Sequence, residues 1–349
     1  MPASPHPDPF TGWLRDHAAP LTHLDPEAPL DDLEPLRDLI GDARVVAIGE
    51  HSHFIDEFIR LRRRLLRFLV ERCGLTVLAF EYGFSEGFPL DAWAQGQGTD
   101  DDLEGHLGET VPVGVDDPLR WIRRHNAAAT RPVRFAGIDI PAAGGSLLPA
   151  LTPVADYLRD IDPETLPAIE QAMRIAASFA GTSAASAAPA WARLPAADQD
   201  ALTAALTRLL IRFRAVEPLY VSRGDRRDYD LALRRLEGAC QADYGFRAMA
   251  GLFAGNGLTA DTSARDVYMA ESVLWHLERS GPGSRIVLAA HNAHIQKAPI
   301  RPARTQVPGP DRIRLQSTFL HTPGLDAFDG ILHTPAATVA RDLEEGKTP

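Results

Sequence analysis

The chain has 349 residues, 45% of them hydrophobic, a formal net charge of −11 and two cysteines. That is enough apolar material for one large domain or two to three smaller ones, and the acidic balance excludes a protein that grips nucleic acid or an anionic membrane by general electrostatics. Cys73 and Cys240 lack metal-ligand or disulfide-framework spacing, and no signal-like N-terminus or apolar run of the ~18 residues a bilayer span needs is present. The expectation is a soluble cytoplasmic protein with reduced thiols.

Residues 1–44, rich in Pro and Asp, read as an irregular or helical N-terminal layer with short helical patterns at Phe10–His17 and Leu30–Ile40. Val45-Val46-Ala47-Ile48, closed by Gly49, is a continuous apolar run that suits a strand buried on both faces of a parallel sheet. It breaks into a crowded polar stretch, Glu50-His51-Ser52-His53. From Phe54 through Val70, apolar residues at 54, 58, 61, 65 and 69 keep helical spacing. Gly74 suits the position just past the helix end.

That helix carries five arginines. Projected at about 100° per residue, Arg60, Arg63, Arg64 and Arg67 fall away from Phe58 and read as a solvated basic face. Arg62 falls about 40° from Phe58, among Ile55, Leu66 and Leu69, where an unpaired guanidinium is costly. It therefore requires a carboxylate partner, with Glu50 or Glu81 the natural choices, either within a site or as a structural ion pair beneath one.

Thr76–Phe80 is a second buried strand and ends in Glu81, a carboxylate that needs a cation or a task. After an acidic segment at 96–108, Pro118–Asn126 reads as a helix and Pro132–Ile140 as a strand with Asp139 near its C-terminal end. Asp139 either orients a site histidine or caps the following turn. From Pro149 to about Leu258 nearly everything has helical pattern, interrupted by the low-complexity 181–190 and a polar bend near Gly224; its arginines (Arg223, Arg226, Arg227, Arg234, Arg235) read as surface. Asp261-Thr262-Ser263 reads as an N-cap region for a helix over Ala264–Arg279. Arg285–Ala290 is another apolar strand, followed at once by His291-Asn292-Ala293-His294, and Arg314–Leu320 and Ala327–Leu332 are weaker strand patterns. The layout is an N-terminal layer (1–44), a first part of an α/β core (45–148), a helical subdomain (149–260), a second core part (261–335) and a loosely ordered tail (336–349). The fold class is α/β, a mostly parallel central sheet flanked by helices with a large helical insertion.

Four apolar strands thus end in Glu50 with His53, in Glu81, in Asp139, and in His291 with His294. In open α/β sheets the carboxyl ends of strands form the ligand crevice, so these groups are expected to converge. They include acids and bases but no evident nucleophile: there is no G-x-S-x-G elbow, Ser52 has no distinctive context, and neither cysteine ends a strand. Water activated by a carboxylate-oriented histidine is then the attacking group, with a second histidine or Arg62 stabilising developing charge. A divalent metal is the rival activator, since the H-x-H of His51 and His53, the H-x-x-H of His291 and His294, and Glu50 and Glu81 supply ligands for Zn²⁺ or Mn²⁺.

The segment Gly49-Glu50-His51-Ser52-His53, with Arg62 on the next helix and Leu78-Ala79-Phe80-Glu81 after it, resembles the GE-x-T-H signature of the erythromycin esterase family, serine standing for the usual threonine. Trp121-Ile122-Arg123 with Asn126, Gly137-Ile138-Asp139, Arg265-Asp266 with Met269-Ala270, Ala290-His291-Asn292-Ala293-His294 and Phe328-Asp329-Gly330 follow in the family's order. The resemblance implies an α/β core with helical additions and hydrolysis of an ester or macrolactone by histidine-activated water, without a required metal or other cofactor. It makes His53 the general base, with Glu50, Arg62, Glu81 and His291 completing the centre and His51, Phe54, Asp139, Asn292 and His294 supporting it. Where the family motif continues with glycine, this chain has Phe54, which reshapes the pocket. The substrate is a small molecule or peptide-derived compound, in macrolide-type resistance or secondary-metabolite tailoring. The alternatives are a metal-dependent hydrolase or protease using the same Glu/His cluster, and a non-catalytic binding protein of a biosynthetic pathway.

Overall fold

The computed structural model describes residues 12, 15–107, 114–297, 312–315, 318–321, 327–334 and 336–340. Helix α1 (Leu36–Ile40) leads to strand β1 (Val45–Glu50), helix α2 (Asp56–Glu71) and strand β2 (Val77–Gly83). Helices α3 (Gly87–Ala94), α4 (Asp100–Leu107) and α5 (Asp116–Asn126) precede strand β3 (Arg134–Asp139). Then come α6 (Leu148–Ile161), α7 (Leu166–Ala177), α8 (Ala184–Ala192), α9 (Ala196–Ala215), α10 (Glu217–Arg223) and α11 (Arg226–Phe253). The chain continues through α12 (Ala264–Arg279), β4 (Ile286–His291), the single turn α13 (Asn292–Ile295), β5 (Arg312–Leu315) and β6 (Thr318–His321).

Strands β1 to β4 form a parallel sheet in the order β1-β4-β2-β3, the expected α/β class, and β5 pairs antiparallel with β6. The unalternating apolar runs explain the class. In β2, Val77, Leu78, Ala79 and Phe80 are all buried in succession, as they must be in a strand covered on both faces. Among the described residues, no helix is long and apolar enough to cross a membrane.

The chain divides into two compact units, Met1–Leu78 with Val111–Val133 and Gly283–Pro349, and Ala79–Thr110 with Arg134–Pro282. In the first, β1 and β4 pair in register from Val45 opposite Ile286 to Glu50 opposite His291. The amides of Thr76 and Val77 donate to the Arg285 carbonyl at 2.9 and 3.2 Å, leading the chain into β2. Helix α2 buries Leu61, Leu65, Leu66, Phe68 and Leu69, and Gly74, with φ +73, ends the run as expected by donating to the Val70 carbonyl. Asn126 stitches the approach to β3, its side-chain oxygen accepting the Val133 N–H at 2.8 Å and its amide donating to the Val133 carbonyl at 2.9 Å.

The solvated arginine face expected on α2 is corrected by the structure. Arg60 is exposed, but Arg63 and Arg64 are buried, at 4% and 0% exposure. Residues 23–32 lie over that side of the helix and supply the acceptors. Arg64 forks onto Asp32 at 2.7 and 3.1 Å and donates to the His23 and Pro29 carbonyls; Arg63 donates to Asp117 and Glu27. The Arg64 guanidinium holds the Asp32 carboxyl well below the usual carboxylate range. A basic face thus became a buried ionic seam because acids and carbonyls came to it.

In the second unit, Leu147, Leu151, Val154 and Leu158 recur at helical spacing and are fully buried with Leu202, Leu206 and Leu236. Phe213, Tyr220 and Tyr229 form an aromatic core, with the first two rings 5.1 Å apart and edge-on. Arg234, expected at the surface, is 5% exposed, stacks over the Tyr268 ring at 3.9 Å and donates to Ser272 and Glu271. The low-complexity stretch is not structureless, because Ser183 and Ser186 form a capping box that starts α8. The expected cap at 261–263 is instead a 3₁₀ turn over Thr259–Ser263, with no side-chain cap bond to α12.

Of the weaker strand patterns, Arg314–Leu320 corresponds to the β5–β6 hairpin, residues 316 and 317 lying outside the described residues. Ala327–Leu332 forms no strand. The tail expected to be loose carries a pairing where it is described: Ile55 and Val339 form an antiparallel bridge. Residues 341–349 lie outside the described residues, as do most of 1–14.

Candidate active site

In the first unit, β1 delivers Glu50 at its C-terminal end, buried to 9% exposure. The loop returns His53 onto it, Nδ1 lying 2.7 Å from Glu50 Oε1. From α2, Arg62 donates through Nη1 to the other oxygen, Oε2, at 2.8 Å, and through Nη2 to the Gly114 carbonyl at 3.0 Å. The helical projection of Arg62 is thereby resolved, and its carboxylate partner is Glu50. Because an ionised carboxylate only accepts, a neutral His53 carries its proton on Nδ1 and keeps an unprotonated Nε2. That nitrogen makes no hydrogen bond among the described residues, and the side chain is 23% exposed. A histidine oriented by a carboxylate at Nδ1 with Nε2 open is the arrangement of a general base.

His291 stands opposite Glu50 in the β1–β4 register, its ring centroid 5.1 Å from that of His53. Its Nδ1 accepts the Ala293 N–H at 3.3 Å and caps α13, so Nε2 carries the proton and donates to the His51 carbonyl at 3.1 Å. The neighbour thus stands beside His53 with its tautomer set by backbone. The His51 ring lies edge-on to Phe58 at 4.7 Å, and the His294 ring is 6.4 Å from His291. Asn292 lies against Gly49, where a Cβ would stand 2.1 Å from Asn292 Oδ1. This explains the glycine of the motif by close approach. Phe54 sits in the left-handed region at φ +63, which accounts for glycine at the corresponding position of the signature. A cavity of about 90 Å³, bordered by Glu50, His51, Arg62 and Asn292, lies beside the group; it has the size for a few waters.

In the second unit, Glu81 and Asp139 meet through a residue that sequence reasoning did not assign to the site. Arg265, in the first turn of α12, donates through Nε and Nη2 to Asp139 and through Nη2 to Glu81 at 2.9 Å. Asp139 is fully buried, and its Oδ1 also accepts the Ile140 N–H at 2.8 Å. It therefore ties down the chain just past β3 and anchors Arg265. Burial disfavours the Arg265 charge, but the Asp139 and Glu81 carboxylates outweigh it and hold the guanidinium above its ordinary range. The one signal for Arg265 was its place in the Arg265-Asp266 motif.

Glu86 was also missed. Its Oε1 accepts the Ala142 N–H at 2.6 Å within a turn where Ala142 and Ala143 both have positive φ. Burial pushes its carboxyl up to about 7 against the pull of that N–H. His276 donates to the Gly137 carbonyl at 3.1 Å, and burial pushes its imidazole down to about 4. Gly137 belongs to the motif for steric reasons, since its Cβ would lie 2.1 Å from the Gly83 carbonyl oxygen.

Among the described residues, no group of three or more His, Cys, Asp and Glu side chains is arranged to hold a metal. Ser52 Oγ is directed at the His53 carbonyl, and Cys73 and Cys240 are free thiols.

Residues 70–307 match the family described as erythromycin esterase. The chain is 41% identical over 292 residues to erythromycin esterase type II of Escherichia coli, covering 83% of this chain and 70% of that protein. It is 31% identical over 273 residues to erythromycin esterase type I of Escherichia coli, covering 77% and 66%. A solved mutant of the erythromycin esterase EreC in its open conformation superposes with a TM-score of 0.81 at 23% identity, covering 90% of this chain and 96% of that one.

Proposed function

Since this chain belongs to the erythromycin esterase family and is a hydrolase of that family, we propose that it cleaves an ester or macrolactone by water activated at His53. The observation that carries this reading is the Glu50–His53 contact of 2.7 Å with Arg62 on the far carboxylate oxygen. Glu50 holds Nδ1–H, His53 Nε2 takes the proton from water as it attacks the carbonyl, and the resulting imidazolium lies beside the carboxylate that stabilises it. Arg62 supplies the counter-charge to the buried Glu50 carboxylate that orients the ring. The proton returns from His53 to the leaving alkoxide.

No metal is required in this reading. The engagement of His53 Nδ1 by Glu50 and of both His291 nitrogens by backbone groups supports it. A macrolide is the substrate class proposed, on the strength of the relatives' names, and the cytoplasm is the setting that suits two separate free thiols.

The test is hydrolysis of erythromycin and a panel of simple esters by the purified protein, with and without a chelator, beside His53→Ala. Turnover that resists chelation and drops by a factor of roughly 10²–10⁴ in a folded His53→Ala is expected. Undiminished turnover in that variant removes the mechanism.

A further inference from the structure

We propose that Glu57 and Thr338 are positioning residues that hold the His53 loop in its working shape, an inference that rests on His53 being the base. Phe54 follows His53 directly and has φ +63. A side-chain-bearing residue keeps such a backbone only where the surroundings over-determine it. Residues 338–340 do so. The Phe54 carbonyl accepts the Ala340 N–H at 2.8 Å, the Asp56 N–H donates to the Thr338 carbonyl at 2.9 Å, and Ile55 pairs with Val339 between them.

Glu57, in the first turn of α2, clamps this strap. Its Oε2 accepts the Thr338 N–H and its Oε1 the Thr338 hydroxyl, each at 2.8 Å. The Thr338 N–H in particular holds the Glu57 carboxyl below its ordinary range. Val339 is 47% exposed, so hydrogen bonds rather than apolar burial keep the strap in place. On the other side of the loop, Glu50 holds His53 Nδ1 at 2.7 Å. His53 hangs between these two anchors. Releasing the strap lets Phe54 relax to negative φ, which carries the imidazole off Glu50.

The experiment reads the imidazole ¹⁵N signals of His53 in the full chain, assigned with His53→Gln, and erythromycin turnover alongside. Wild type and Thr338→Ser, which keeps the hydroxyl, are expected to show the Nδ1–H tautomer. Thr338→Val and Glu57→Ala are expected to lose it and to lower kcat by roughly tenfold to a hundredfold, the scale of a small misplacement, with KM little changed. Adding Phe54→Gly, which takes positive φ without strain, should recover a large part of that loss. An unchanged His53 signal in folded Thr338→Val and Glu57→Ala overturns the proposal, as does a loss that Phe54→Gly leaves untouched. If Glu57→Ala does not fold, the near-isosteric Thr338→Val against Thr338→Ser decides alone, and if erythromycin is not turned over the imidazole signals decide. Failure of the underlying reading looks different: His53→Gln keeps full turnover, or Glu50→Gln leaves the imidazole signal as it was.

Discussion

Asp139 and Arg265, 126 residues apart in sequence, are joined by two hydrogen bonds of 2.9 and 2.5 Å that use both Asp139 oxygens. The acid is fully buried, and the guanidinium is its counter-charge there. Removing one partner of such a pair leaves an uncompensated charge. Arg265→Ala should therefore lower the unfolding free energy by about 3–5 kcal/mol. Arg265→Lys should fall between, because an ammonium lacks the planar fork that serves Asp139 and Glu81 together. Urea unfolding of the three proteins checks this order.

Glu50→Gln keeps the size of the side chain and removes the charge shared by His53 and Arg62. With no carboxylate to stabilise the imidazolium, kcat is expected to fall by about 10²–10⁴ while KM changes little. Steady-state kinetics with an ester substrate decides. A change confined to KM would assign Glu50 to binding instead.

The left-handed backbone at Phe54 gives a stability ranking. Glycine relieves roughly 1–2 kcal/mol of αL strain but returns about 0.4–1 kcal/mol as unfolded-state entropy and loses a half-buried ring. Phe54→Gly is thus expected within about 1 kcal/mol of wild type. Phe54→Val, β-branched at positive φ, should lie clearly below both in thermal unfolding.

Two buried groups of the second unit set opposing pH slopes. His276 is depressed from 6.5 to about 4, so between those values the unfolded chain binds a proton that the folded one does not. Its contribution is complete above about pH 6.5 and is lost as pH falls toward 4, at most about 3 kcal/mol. Glu86 is raised from 4.5 to about 7, so its contribution is complete below about pH 4.5 and is lost as pH rises through 7, by a similar amount. Maximum stability is expected near pH 5–6 from these two groups. His276→Gln should flatten the acid side and Glu86→Gln the neutral side of a pH series of unfolding midpoints.

Steric incompatibility at the first strand is equally direct. A Cβ on Gly49 would lie 2.1 Å from Asn292 Oδ1 and 2.5 Å from Ile295 Cδ1. Gly49→Ala must turn the Asn292 amide and the Ile295 tip aside, disturbing the packing of α13 on β1 next to His291. A loss of about 1–3 kcal/mol is expected, with reduced turnover, and activity equal to wild type would mean that the two side chains swing aside without disturbing His291.

The strand ends were legible because a buried apolar run that stops at a charge is costly without a reason, which pointed to Glu50, Glu81, Asp139 and His291. Arg62 was legible because helical projection placed it on an apolar face. The same projection failed for Arg63 and Arg64, since it describes the helix and not the residues 23–32 that close over its other side. Arg265 was hidden by its place in a polar first helical turn, where a basic residue draws no notice. The left-handed turn was hidden because glycine is its usual marker and this chain has Phe54. Residues 338–340 bind largely through main-chain groups, which leave no trace in side-chain pattern.

The register of β1 against β4 also sets a timetable for the living chain. Glu50 and His53 leave the ribosome well ahead of the strand that pairs with β1, which ends at His291, some 240 residues later. At about 5–20 residues per second, roughly 10–50 s separate the two events. For that interval the VVAI edge of β1 has no native β4 partner, and transient shielding by a chaperone is the natural remedy for an apolar strand waiting on so distant a mate. The Glu50–His291 register is then completed only after its later strand has been made.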